Sequence, residues 1–206
     1  SGHNEDGGFD MGIIDIRGKL VADGTSGNEI TFTRDGSTGN WGILFFNSST
    51  TTSSISYCNI EYGSYIILTG NIYYGGVISF YQTNSATIEN CNISNNAGSG
   101  FYCNINSSPN IYNNDIDISV SSSGERGITC VDNSSPNIVG NTISNSTSRG
   151  IACYTNSNPL INRNTVKNAT GNFGHGIYCS SSTPTITNNL IFGNSKSGVY
   201  CESSSP

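Results

Sequence analysis

Few residues of this 206-residue chain suit acid–base or metal chemistry: 14 Asp+Glu, 8 Lys+Arg and 2 His, for a net charge of −6. Three of the cations share a context. Arg126, Arg149 and His175 each stand directly before a glycine, at Gly127, Gly150 and Gly176. Cations repeated in this way suit a polyanion such as a uronate chain, because a guanidinium matches a carboxylate with paired N–H donors. The competing reading is a solvated edge, with Glu125 neutralising Arg126. His175, between Gly174 and Gly176, is a weak catalytic candidate, since a histidine between glycines also reads as a turn. Asp115 and Asp117 flank Ile116 and face the same side. They are weak candidates for calcium, because two carboxylates are too few to close a calcium site. No other cofactor is implied. Seven cysteines occur without a C-x-x-C pair, which argues against a zinc site.

These residues are carried by repeats. Blocks opening at Gly100, Gly127, Gly150, Gly176 and Gly198 read GFYC, GITC, GIAC, GIYC and GVYC, and Gly42 and Gly76 open GILF and GVIS. A second register follows: SSPNI at 107–111 and again at 134–138, SNPLI at 157–161 and STPTI at 182–186. Each unit of 22 to 27 residues, with one longer unit, then holds three short β segments separated by turns. Within a segment apolar residues alternate, so one face turns inward. No unit buries that face alone, and stacking the units makes a continuous core. The fold class is therefore all-β, a parallel β-helix of about seven or eight coils. Inward columns are Ile128 and Cys130, Ile138, and Ile143 with their equivalents. Asn114, Asn141, Asn164 and Asn189 read as a stacked turn column, with Cys58 and Cys91 at the same place in earlier coils. Five cysteines fall one per coil on an inward column, which suggests reduced, buried thiols.

Composition removes several function classes. Eight Lys+Arg give no basic field for nucleic acid. No apolar run approaches the ~18 residues of a membrane span. A hydrophobic content of 34% with 11 Tyr and 8 Phe is too apolar for disorder.

The coils resemble the right-handed parallel β-helix repeat proteins, the superfamily of pectate lyases and polygalacturonases. The stretch GKLVADGTSGNEITFTRDGSTGNWGILFF at 18–46 is similar to the opening coils of secreted bacterial members. The resemblance implies right-handed winding and a secreted or cell-surface location. It also implies that the G-I-x-C strand forms the first sheet, whose exterior carries substrate in the enzymes. Gly174-His175-Gly176 resembles the GHG of polygalacturonases, but the Asp pair expected in neighbouring coils is missing.

On that exterior, alternation places Phe46, Phe80, Tyr102, Tyr154, Tyr178 and Tyr200, too many rings for a face meant only for water. Glu202 is the one carboxylate on the strip, whereas hydrolases need a pair and lyases an acidic metal cluster. Long segments at 62–75, 117–126 and 169–175 fall at one corner, which suits a binding edge. The expected function is a non-enzymatic extracellular scaffold or adhesion-type domain. It binds polysaccharide or a surface protein through the six rings together with Arg126, Arg149 and His175. The alternatives are a polysaccharide lyase or glycoside hydrolase, and a structural rod or filament subunit. Residues 1–10 are polar and glycine-rich, and residues 1–41 are read as N-terminal coils leading into regular coils at 42–206. The whole reads as one β-helix domain, a segment of a longer chain, able to associate end to end.

Overall fold

The computed structural model describes residues 12–68, 72–120 and 124–206. Residues 1–10, discussed above, lie outside these, as do the tips of two long segments. Among the described residues every regular element is a strand, as expected from the scarcity of strong helix formers. Three parallel sheets of eight, seven and seven strands run the length of the chain. They form a β-solenoid of about seven turns.

One coil shows the pattern. Ile128–Cys130 lies in the first sheet, Asn137–Val139 in the second and Thr142–Ser144 in the third. Each strand pairs in parallel with its equivalent one coil away, so Ile128, Ile138 and Ile143 face Ile151, Ile161 and Val166. All six are buried, as the inward columns require. The corners between strands are made by residues in the left-handed region. Asn90, Asn113 and Asn188 hold φ of 55°, 52° and 56°, and Gly140 takes the same corner at 74°. Asparagine tolerates this conformation better than most residues, which explains its abundance at these turns.

The buried asparagines bind the coils together. Asn141 Oδ1 accepts from the Asn114 backbone N–H at 2.9 Å and from its amide at 3.1 Å. Asn164 and Asn189 repeat the arrangement in the next coils. Each amide also donates to a backbone carbonyl, as Asn141 does to Ile111 O at 2.9 Å. The Cys91 N–H donates to Asn114 Oδ1, so cysteine takes over the position in the earlier coils.

Two features differ from the sequence reading. The segment 62–75 carries an antiparallel hairpin, Ile66–Leu68 with Ile72–Tyr74, outside the parallel sheets. The register of the first coils is also displaced by one residue. Leu44 pairs with Ile78, and Ile78 with Phe101, so Phe46, Phe80 and Cys103 share one column. Phe46 and Phe80 are fully buried and stack on each other, with ring centroids 5.0 Å apart. They are core residues, and the expectation that they line the exterior is corrected. Leu44 and Ile78 turn inward with them, while Phe45 and Ser79 take the outward column. The cause is that Gly42 and Gly76 do not occupy the position of Gly100. Ile43 and Val77 do, and Val77 fits because Gly63 opposite it has no side chain.

Candidate functional site

From Tyr102 onward the exterior of the first sheet follows the expected alternation. Tyr102, Thr129, Ala152, Tyr178 and Tyr200 form one outward column in register. Tyr154, Ser180 and Glu202 form the next. The cations form a third column along the edge. The N–H of Gly127 donates to the carbonyl of Arg149 at 3.3 Å, and that of Gly150 to the carbonyl of His175 at 3.0 Å. Sterics set that edge. A Cβ on Gly127 would strike Ile143 Cγ2 and lie 2.7 Å from the Gly150 carbonyl oxygen, and Gly150 and Gly176 are as tightly enclosed. With no side chain tolerated at the glycine, the residue before it is the first that projects.

The cations lie against the rings. The Arg149 guanidinium sits 4.4 Å from the Tyr178 ring centre and 4.7 Å from that of Phe173. Arg126 reaches to 5.8 Å from the Tyr154 ring. His175 stacks on Tyr200 at 4.8 Å, and Tyr178 stacks on Tyr200 at 5.7 Å and 10°. Tyr154 meets Tyr178 at 5.5 Å. Six of the expected contact residues, Arg126, Arg149, His175, Tyr154, Tyr178 and Tyr200, therefore make one continuous cluster. Tyr102 stands two coil steps beyond Tyr154's own coil on the same face, near Arg126.

Several titratable groups of this face are shifted from their ordinary values. Burial, then the charges of Arg149 and Lys196, hold the His175 imidazole below its ordinary value. Tyr178 donates to Glu202 Oε2 at 2.7 Å, and this bond, with burial, raises the phenol. Glu125 accepts from Ser99 Oγ at 2.6 Å, and burial raises its carboxyl. The Ser99 bond and the neighbouring Arg126 charge oppose that rise. Buried side-chain atoms with no hydrogen-bond partner include Asn104 Oδ1, Arg126 Nε, Thr129 Oγ1, Arg149 Nε and His175 Nδ1. All five belong to this face or its edge.

Phe173 was missed in the sequence, although it lies in the long 169–175 segment beside His175; it is 58% exposed. A shallow groove of ≈ 380 Å³ runs there, lined by Gly124, Thr147, Ser148, Gly171, Asn172 and Phe173. Asp115 and Asp117 lie apart from the cluster, on the third sheet. Asp117 Oδ1 accepts from the Ser119 N–H and the Asn145 amide, both at 3.0 Å. Among the described residues no three His, Cys, Asp or Glu side chains gather as a metal site.

Comparison with known proteins decides the family. The model described as "Right handed beta helix region" matches residues 41–206. The chain belongs to the right-handed β-helix family. No curated protein matches it in sequence. A crystal structure of an alginate lyase from Paenibacillus sp. str. FPU-7 is similar at 12% identity and a TM-score of 0.32, covering 94% of this chain and 89% of that one. Within this β-helix the inward thiols Cys103, Cys130, Cys153 and Cys179 are buried in register. Contact with the neighbouring thiol, then burial, raises Cys153 well above the usual range. Protonated, buried thiols are poor nucleophiles.

Proposed function

We propose that this β-helix is a non-enzymatic extracellular scaffold that binds an acidic polysaccharide along the exterior of its first sheet. The observation that carries this reading is the column Arg126, Arg149 and His175, one per coil, with Tyr154, Tyr178 and Tyr200 packed against it. Flat rings stack on sugar faces, and guanidinium edges take carboxylates. The coil rise of ~4.8 Å sets the spacing of the cations along the axis. With a net charge of −6, the chain as a whole repels polyanions, so attraction has to be local to this edge.

A cleavage reading uses the same residues, because a neutral imidazole beside a guanidinium can accept a proton. The binding reading is favoured because the strip holds Glu202 as its carboxylate, and that group is engaged by Tyr178. The test is affinity electrophoresis through polygalacturonate, alginate and a neutral glucan, with absorbance of unsaturated product followed in parallel. Retardation by an acidic polymer without product supports the proposal. Equal mobility in all gels contradicts binding, and product formation contradicts the non-enzymatic reading.

A further inference from the structure

Two small residues interrupt the outward column of tyrosines. Thr129 and Ala152 stand between Tyr102 and Tyr178, so the two rings are three coil steps apart, about 14 Å at the usual strand spacing. Both small residues project outward, yet Thr129 is 1% exposed and Ala152 0%. Two long side chains flank this floor: Arg126, three residues before Thr129, has its guanidinium 5.8 Å from the Tyr154 ring centre, and Tyr154, two residues after Ala152, has its ring centre 5.5 Å from that of Tyr178.

The polar groups at this floor are incompletely paired. Thr129 Oγ1 and Arg126 Nε are both buried without a hydrogen-bond partner. A hydroxyl and a charged donor removed from water and left unpaired cost free energy that any partner would recover. Native proteins rarely leave such buried atoms unpaired without a use for them.

We propose that the Thr129–Ala152 floor is a sugar subsite that Arg126 covers until an acidic sugar draws the guanidinium away. The ligand's carboxylate then pairs with Arg126, its ring lies on the floor between Tyr102 and Tyr178, and one of its hydroxyls bonds to Thr129 Oγ1. This rests on the acidic-polysaccharide reading above and adds a sugar-by-sugar requirement to it. The ligand unit must carry an anionic group and a free hydroxyl on the face turned to the sheet.

Polygalacturonate oligomers are the probe, titrated into the wild type, Arg149→Ala, Thr129→Val and Ala152→Phe, with melting curves for each. Thr129→Val is nearly isosteric and removes an unpaired hydroxyl, so it should melt at or above the wild-type temperature. It should nevertheless bind about three- to tenfold more weakly, the span expected for one hydrogen bond. Ala152→Phe fills the floor and should weaken binding further. If Arg149→Ala weakens binding while the other two variants bind like the wild type, the subsite is refuted and the polysaccharide reading stands. If the wild type itself does not bind, both fall.

Discussion

Arg149 packs against two rings, Phe173 and Tyr178; its Nη1 donates to Ser148 Oγ at 3.3 Å and its Nε is buried without a partner, so a ligand would meet the rest of its planar N–H edge. A planar edge of that kind matches a carboxylate with two parallel bonds, and a lysine ammonium does not. Arg149→Lys should therefore keep the charge and still lose most of the affinity that Arg149→Ala loses, measured by titration with polygalacturonate. His175 adds a pH dependence. Its folded pKa is held below the ordinary value of about 6.5 by burial, Arg149 and Lys196. The unfolded chain therefore binds more protons across that window, and the free protein loses stability as pH falls through it. A bound anion reverses the shift, so binding takes up a proton and tightens over the same fall in pH. His175→Gln should flatten the affinity-versus-pH curve, and a curve of unchanged slope would remove His175 from the site. In the sequence His175, Arg126 and Arg149 were legible because each precedes a glycine that the stack requires. Phe173 was not, since it lies in a segment without repeat register.

At the scale of the strand, one residue of register separates a core ring from a surface ring. The repeat from Gly100 onward was legible because the glycine, isoleucine and cysteine columns agree with one another. The first two coils also offer a glycine before an apolar pair, but there Ile43 and Val77 occupy the glycine column. Alternation is ambiguous at Leu44, whose neighbours Ile43 and Phe45 are both apolar, whereas polar Ser79 between Ile78 and Phe80 was the signal that could have revealed the shift. Phe80→Ala tests the corrected register: it should cost about 3–5 kcal/mol in chemical denaturation, as for a deleted core ring. A loss within about 0.5 kcal/mol, normal for a surface site, would restore the outward placement. The asparagine column was legible for the opposite reason, since its spacing is fixed and its chemistry is single-purpose. Asn141→Ala leaves the Asn114 N–H without its acceptor and should cost about 1–3 kcal/mol for that group alone.

Across the whole molecule the stack makes burial continuous from coil to coil. Ile143 pairs with Ile116 and Val166. Ile143→Asp would bury a charge with no counter-ion and should destabilise by several kcal/mol. The same burial orders the thiols: six of the seven free cysteines are buried and Cys201 is exposed. A native sample should thus show one fast thiol with a disulfide reagent and six that react only on unfolding. The architecture was readable in the sequence because each coil repeats the same demand, an inward apolar column and a sharp polar corner. The hairpin at Ile66–Leu68 and Ile72–Tyr74 was not, because it interrupts the repeat and answers to no neighbouring coil.

The central claim is that the cation–aromatic edge of the first sheet holds an acidic polysaccharide. It is tested most directly by calorimetric titration of polygalacturonate oligomers into the wild type and into an Arg126→Ala/Arg149→Ala double variant of matched melting temperature. The account predicts saturable binding by the wild type that weakens as salt screens the edge, and at least about a hundredfold loss in the double variant, given roughly 1.5–3 kcal/mol for each charged hydrogen bond. Equal heats for the two proteins would contradict it.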